Sequence, residues 1–474
     1  MSLKTLGKQS LIYGFGHIMV RLVTFLLLPL YTNIFSPEEY GVVALFYTFL
    51  SFMNVIIRYG MGSALLKFYV PADTDERKTI MTNIIASLFI SGAPFLILCH
   101  IFRHILSPII LGVNNPELIT LMGIIIVLDT IWSIPMLVLR SENRATQFIV
   151  LSLLNVGITM GFNLILILKM GMGIEGVFLS NLIASGILFL MCLPIIGKRF
   201  NFSSLSLNRW KTILKFAIPF LPAGLFSMVM EVADRYILKY LTDLSTVGIY
   251  NAGYKVGMLM MLAVMGFNMG WQPYFLQEGK SDPKGNVFGK IITYVCASFG
   301  FIWVMILIWS DKLMQFKLFG YSFFGEEFYE ALPLVPWIAL GYLFYGYYIL
   351  LTPGIFLKDR PGIAAWTRLF GALTNIGLNF FLIPTYGAWG AAISTCLSFF
   401  FMAILMNVIN NKLYPIEIEW PKISMIIILL FVCYALTKSL GDGIFASLLI
   451  SIIYPLSLLG TRVVNLKELV GKSK

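Results

Sequence analysis

Long apolar stretches, each about the length of a bilayer-crossing helix, alternate along this chain with short polar connections. A helix needs roughly 20 mostly apolar residues to cross a membrane, and fourteen stretches between polar or Gly/Pro breaks approach that length. Their limits fall near 10–34, 41–66, 80–103, 117–139, 146–168, 174–197, 213–240, 245–276, 288–310, 331–357, 363–384, 387–410, 422–438 and 443–461. The last two are short or interrupted. No connection has the length of a folded soluble domain, and the longest, Asp311–Glu330, reads as a solvated loop. Met1–Lys8 leads straight into the first stretch with no A-x-A-type cleavage site, so that stretch is expected to be a span and not a removable signal. The pattern predicts an all-α integral membrane protein with about 14 transmembrane helices.

Composition agrees. Of 474 residues, 58% are apolar and 12% charged, against about a quarter charged in soluble proteins. A soluble enzyme or nucleic-acid binder could not hide that much apolar surface. The net charge of +11 first suggests an acidic partner, but its placement says otherwise. Counting connections on alternate sides puts 23 of the 34 Lys and Arg with the two termini and 6 on the opposite side, leaving 5 inside spans. That bias predicts an even span count and cytoplasmic N- and C-termini. Cys99, Cys192, Cys296, Cys396 and Cys433 sit in apolar runs without a CxxC and read as small buried hydrophobes. The sequence offers no Walker loop, metal cluster or dinucleotide fingerprint, so neither metal, cofactor nor enzymatic activity is expected.

The basic connection Lys198–Lys211 follows six spans, and motifs recur across it at offsets near 215 residues. Pro135-Met-Leu-Val-Leu-Arg140 is matched by Pro353-Gly-Ile-Phe-Leu-Lys358. Gly173-Ile-Glu-Gly-Val-Phe-Leu-Ser180 is matched by Gly387-Ala-Trp-Gly-Ala-Ala-Ile-Ser394, and Gly41 by Gly248. Six spans repeated in one orientation give two lobes related by an axis along the membrane normal. The expected organisation is an N-lobe at 1–200 (spans one to six), a C-lobe at 201–412 (spans seven to twelve), and spans thirteen and fourteen with a tail at 413–474. Pro29 in span one and Pro219 and Pro222 in span seven mark kinks in matching helices.

Charges inside spans are costly and therefore informative. Arg21, Arg58, Arg235 and Lys255 lie in spans one, two, seven and eight, matching helices of the two lobes, while Arg368 sits near an end of span eleven and can snorkel. The four suit an anionic substrate, arginine especially so because its planar fork binds phosphate oxygens bidentately. Glu231, Asp234 and Arg235 share one helix face, where Glu231 can pair with Arg235 and leave Asp234 for a neighbouring helix or a coupling cation. Asp129, in mid-span four, is a candidate proton or ion site, and His17 lies one turn before Arg21. Each of these carboxylates is open to two roles, ion coupling or structural pairing.

These residues also carry a resemblance. Phe25-Leu-Leu-Leu-Pro-Leu-Tyr-Thr-Asn-Ile-Phe-Ser-Pro-Glu-Glu-Tyr-Gly41 is similar to the opening of bacterial Wzx-type polysaccharide or O-antigen flippases, which belong to the multidrug/oligosaccharidyl-lipid/polysaccharide exporter superfamily. Asp234-Arg235 with Gly248-Ile-Tyr-Asn-Ala-Gly-Tyr254 resembles the start of their C-terminal lobe, and the repeated Gly173 and Gly387 motifs resemble their recurring loop. The resemblance covers roughly residues 5–410. It implies a V-shaped two-lobed bundle in the bacterial cytoplasmic (inner) membrane. It further implies alternating-access transfer of undecaprenyl-diphosphate-linked oligosaccharide to the periplasmic leaflet. Arg21, Arg58, Arg235 and Lys255 would then hold diphosphate or acidic sugars. The implied partners are this glycolipid, membrane lipids, a coupling H+ or Na+ and polysaccharide assembly proteins, with no nucleic acid. The rival readings are a lipid II flippase, a multidrug or organic-cation exporter of the same superfamily, and a polytopic glycan polymerase.

Overall fold

The computed structural model describes residues 25–279, 286–318, 321–360, 362–441 and 443–465. Its helices begin and stop where local chemistry dictates. The short α1 (Leu28–Ile34) has Pro29 in its first turn, where the missing N–H costs nothing. At the start of α2 (Pro37–Arg58), the Ser36 side chain accepts the Glu39 N–H while the Glu39 carboxylate accepts the Ser36 N–H. This reciprocal cap satisfies two otherwise free donors. The helix breaks at Tyr59 and Gly60, with φ of 28° and 81°, and resumes as α3 (Met61–Tyr69). Asp73 caps α4 (Thr74–Ile101) by accepting from the N–H groups of Asp75 and Glu76.

There follow α5 (Arg103–Ile110), α6 (Pro116–Ser141) and α7 (Ala145–Asn163), which continues into one π-helical stretch at Leu164–Lys169. Next come α8 (Gly173–Gly197), α9 (Leu207–Ala217), α10 (Phe220–Leu241), α11 (Leu244–Gly257) and α12 (Leu259–Glu278). After α13 (Asn286–Gln315) lie a two-stranded hairpin, β1 (Lys317–Leu318) and β2 (Tyr321–Ser322), and a 3-10 stretch at Glu326–Leu334. The chain ends with α14 (Val335–Leu350), α15 (Pro353–Leu357), α16 (Gly362–Tyr386), α17 (Ala388–Leu413), α18 (Trp420–Leu440) and α19 (Ile444–Gly460).

This is a multi-pass, all-helical membrane protein. Among the described residues, eleven helical stretches are long and apolar enough to cross a bilayer, or twelve if α9 and α10, bent by 40° at Pro219, form one span. The 17-residue α19 is apolar but shorter, and most of the expected first span, residues 10–24, lies outside the described residues. The number fourteen is therefore not reached by these helices alone.

The described residues form two compact units. One takes the chain up to Tyr31 and from Phe35 to Gly248; the other takes Thr32–Ile34 and the chain from Ile249 onward. In the first, α6 packs on α4 and α8, and the two halves of the bent span pack on α3 and α2. Buried Met61, Ile80, Ile84, Ile134, Val138 and Ile213 fill the space among α3, α4, α6 and α9. Gly41 and Gly248 meet where α2 crosses α11. A Cβ on Gly41 would lie 2.1 Å from the Leu244 carbonyl oxygen, and one on Gly248 1.9 Å from that of Pro37. Only glycine lets two backbones approach so closely.

In the second unit, α14 and α16 both pack on α17, while α13 supports α14, α18 and α19. The Asp311–Glu330 connection departs from the expectation of a solvated loop. α13 runs through it to Gln315, and Phe324 and Phe328 are fully buried, leaving Glu326, Glu327 and Glu330 exposed. The reason is anchoring: the Gly325 N–H donates to Thr32 Oγ1 at 3.1 Å, and Asn33 Nδ2 to the Ser322 carbonyl at 2.8 Å.

The paired glycine motifs adopt the same local form in each unit. Gly173 and Gly387 have φ of 60° and 53°. Ser180 Oγ donates to the Gly176 carbonyl at 2.6 Å, and Ser394 Oγ to that of Gly390 at 2.7 Å. Gly176 and Gly390 both face the end of the preceding helix, at Ile167 and Leu382. A tight turn thus folds α8 back on α7 and α17 back on α16.

Candidate functional site

Polar side chains recur along one face of α2 at Tyr47, Ser51, Asn54 and Arg58, a spacing that puts them in one row. The row faces Asn181 and Ser185, one turn apart on α8, and Asp129 on α6. Asp129 Oδ1 accepts from Ser185 Oγ at 2.5 Å and from Trp132 Nε1 at 2.9 Å, and the Asn54 side chain also bonds it. Arg58 is the charged group facing this carboxylate among the described residues. It is half-buried, and Gly62 leaves space for it: a Cβ there would sit 3.3 Å from an Arg58 guanidinium nitrogen. Further along the row, Asn181 Nδ2 donates to the Tyr47 hydroxyl at 3.0 Å. Tyr47 meets Tyr31, whose own hydroxyl donates to Asn163 Oδ1 at 2.8 Å, just before the π-helical stretch. The result is a hydrogen-bonded polar seam inside an apolar bundle.

Arg235 is placed differently. Its side chain is 4% exposed and that of Asp234 1%, and Arg235 Nη1 donates to Asp234 Oδ1 at 2.6 Å and to the Glu231 backbone carbonyl at 2.5 Å. Arg235 thus pairs with the adjacent Asp234. α10 runs antiparallel to α2, with Gly224 against Val55 and Gly60 against Ala217, so Arg235 lies three to four turns from the level of Arg58. At 1.5 Å per residue the two cations are on the order of 20 Å apart along the helix axis. Lys255, in the second unit, is half-buried. Arg21 and His17 lie outside the described residues. Arg368 lies on α16, two turns from its start.

Sequence reasoning passed over the neutral polar residues. Besides the seam, the second unit holds Asn375 and Asn379 one turn apart on α16 and Thr395 on α17, each at most 1% exposed. Asn379 Nδ2 donates to Asn375 Oδ1 at 3.0 Å, yet Asn375 Nδ2, Asn379 Oδ1 and Thr395 Oγ1 have no partner among the described residues. Unpaired buried polar atoms cost about 1–3 kcal/mol each, so these three are exceptions that ask for a role. The detectable signal was two asparagines at i, i+4 in an apolar span. No group of three His, Cys, Asp or Glu able to hold a metal occurs among the described residues.

On the basic face, three connections are tied together. Glu142 accepts from Arg199 Nη2 at 2.8 and 2.7 Å and from the Tyr69 hydroxyl at 2.7 Å, while Arg199 Nε donates to that hydroxyl at 2.8 Å. Partial burial pushes the Glu142 carboxyl up, but the bonds from Tyr69 and Arg199 and the attraction of Arg199 and Arg144 outweigh it and hold it below its usual value. The second unit contains an apolar cavity of about 450 Å3 lined by residues such as Trp303, Trp337, Phe344, Phe400 and Phe431. With no cation in its wall it suits hydrocarbon and not a charged headgroup.

Comparison with known proteins follows the same lines. The profile of the polysaccharide biosynthesis protein family matches residues 6–277. The "Probable low-salt glycan biosynthesis flippase Agl15" of Haloferax volcanii is 25% identical over 212 residues, 43% of each chain, so the match spans less than half of that relative's length. The Haemophilus influenzae Lsg locus protein 1 is 23% identical over 355 residues, 71% of this chain and 84% of that protein. Among solved structures, the lipid II flippase MurJ in an inward closed conformation superposes with a TM-score of 0.74 at 18% identity, covering 94% of this chain and 98% of that one. An inward-facing multidrug resistance MATE family transporter of the MOP superfamily gives 0.67 at 14% identity, covering 87% and 94%. The fold is that shared by these transporters.

Proposed function

Since this chain belongs to the polysaccharide biosynthesis protein family, we propose that it is a flippase, a carrier and not an enzyme. It moves undecaprenyl-diphosphate-linked oligosaccharide from the cytoplasmic to the periplasmic leaflet of the bacterial inner membrane by alternating access. The observation that carries the reading is the family match across residues 6–277; the relative named a glycan biosynthesis flippase and the shared transporter fold support it. Both termini lie in the cytoplasm, as the charge bias of the connections supports. The repeat at 1–200 and 201–412, with 413–474 added, is supported by the matched turns at Gly173 and Gly387.

Within this reading, Arg21, Arg58, Arg235 and Lys255 attract the diphosphate. Arg58 is the first-contact residue of the described set, because it is only partly buried while Arg235 is buried against Asp234. Asp129 positions Arg58. The coupling ion, H+ or Na+, engages Asp129, Glu231 or Asp234, or the neutral oxygens of Asn379 and Thr395, which suit a monovalent cation. Assembly proteins of the same polysaccharide are the expected macromolecular partners.

The test is transfer of labelled undecaprenyl-diphosphate oligosaccharide across proteoliposome leaflets. Wild type should flip it, and Arg58→Ala combined with Lys255→Ala should not. Transfer of lipid II in preference, or export of organic cations, would move the assignment to the corresponding rival.

A further inference from the structure

α7 begins at Ala145 with no side chain capping its first turn. The free N–H groups there carry partial positive charge. A cavity of about 380 Å3 opens at this end between α7 and α8, with Arg144, Gln147 and Lys198 on its polar side and Leu151, Met191 and Pro194 on its apolar side. Three cations surround it against one carboxylate. Arg199 is committed to Glu142 at 2.7 Å, Arg144 stands off at 3.9 Å, and Lys198 makes no ion pair among the described residues. The wall is therefore net positive even after internal pairing.

Val150 lines both this cavity and an apolar trough of about 540 Å3 that runs along α7 past Leu154, Gly157 and Gly161 to Ile165. A Cβ on Gly157 or Gly161 would meet no atom within 4 Å, so these glycines deepen the trough and do not serve packing inside the unit. From Val150 to Ile165 the trough extends on the order of 20 Å, more than half of the roughly 30 Å hydrocarbon core. That length and its apolar lining match one acyl chain.

We propose that cavity and trough form a single site for an anionic phospholipid, with the phosphate at Arg144, Lys198 and the α7 N-terminus and one acyl chain over Gly157 and Gly161. Basic pockets between spans at a membrane interface recognise such headgroups, and a zwitterionic lipid gains little from the net charge. A second copy of the chain is the other occupant a two-glycine face invites. A two-fold contact over this patch would bring Arg144 and Lys198 against their own equivalents, which disfavours it.

The experiment is native mass spectrometry of the purified full chain, titrated with phosphatidylglycerol or phosphatidylcholine and read alongside thermal melting. One phosphatidylglycerol is expected to be retained and to raise the melting midpoint, with phosphatidylcholine doing neither. Arg144→Ala with Lys198→Ala should weaken phosphatidylglycerol about thirty-fold, the combined effect of two interfacial cations. Gly157→Leu with Gly161→Leu, which fills the trough without an internal clash, should lose lipid while melting normally without it. Equal retention of the two lipids, unchanged binding by both double variants, displacement by undecaprenyl diphosphate at lower concentration, or a dimer dissolved by the leucine variant would each overturn the assignment.

Discussion

Replacing Glu142 by Gln keeps its shape and removes its charge, which isolates the contribution of the Glu142–Arg199–Tyr69 cluster. The two Arg199 Nη2 bonds measure 2.8 and 2.7 Å, and the two side chains are 18% and 17% exposed. Charge-assisted hydrogen bonds contribute about 1.5–3 kcal/mol when buried. Partial solvent access returns some of this to the variant, so the expected loss is about 2 kcal/mol near neutral pH. In a double-mutant cycle with Arg199→Met, the coupling energy should be about 1–2 kcal/mol. The pH dependence has a definite sign. Because Glu142 is held below its usual value in the folded protein, its contribution is complete above the unfolded carboxyl value of about 4.3 and is lost as pH falls through the lower folded value. The gap between wild type and Glu142→Gln should thus stay level from pH 8 to about pH 5 and close in more acid solution. Equilibrium unfolding in mixed micelles by detergent titration measures it. A Glu142→Gln protein within about 0.5 kcal/mol of wild type at pH 7, or a strictly additive cycle, would show that the bidentate pair contributes nothing net.

Gly248→Val should cost about 1–3 kcal/mol by forcing α11 off α2, because the obstructing atom is the backbone oxygen of Pro37 and cannot rotate away; a fall in the melting midpoint checks it. Gly387→Ala places a Cβ on a residue with φ of 53° and should cost about 1–2 kcal/mol, while Gly443→Ala, at φ −63° and with open space around it, should be silent in the same melt. Exchange of K+ for Na+ at constant ionic strength should raise the melting midpoint of wild type and not of Thr395→Val, if the unpartnered Asn379 and Thr395 oxygens hold the coupling cation; an equal response in both proteins removes that role from them.

The apolar spans and the turns at Gly173 and Gly387 were legible because each is a local property. Hydrophobicity summed over about 20 residues and a left-handed glycine both survive without knowledge of neighbours. Depth and partners are not local. Arg58 and Arg235 look alike in sequence, both cations in apolar helices, yet the antiparallel packing of α10 on α2 sets them at different levels and buries one against Asp234. The Asp311–Glu330 connection looked solvated because its acidic residues stand out, while Phe324 and Phe328 are buried and the backbone beside them is anchored by Thr32 and Asn33, nearly 300 residues away. The neutral seam of Tyr31, Tyr47, Asn163, Asn181 and Ser185 escaped notice for the same reason. A hydroxyl or amide in a span is common, and it becomes part of a site only when packing brings several into hydrogen-bonding range. Sequence alone thus determined that the chain lives in a membrane and that its apolar helices carry cations. Tertiary structure decided the levels at which Arg58 and Arg235 sit and how deeply each is buried. Those levels rest on the packing of helices far apart in the chain.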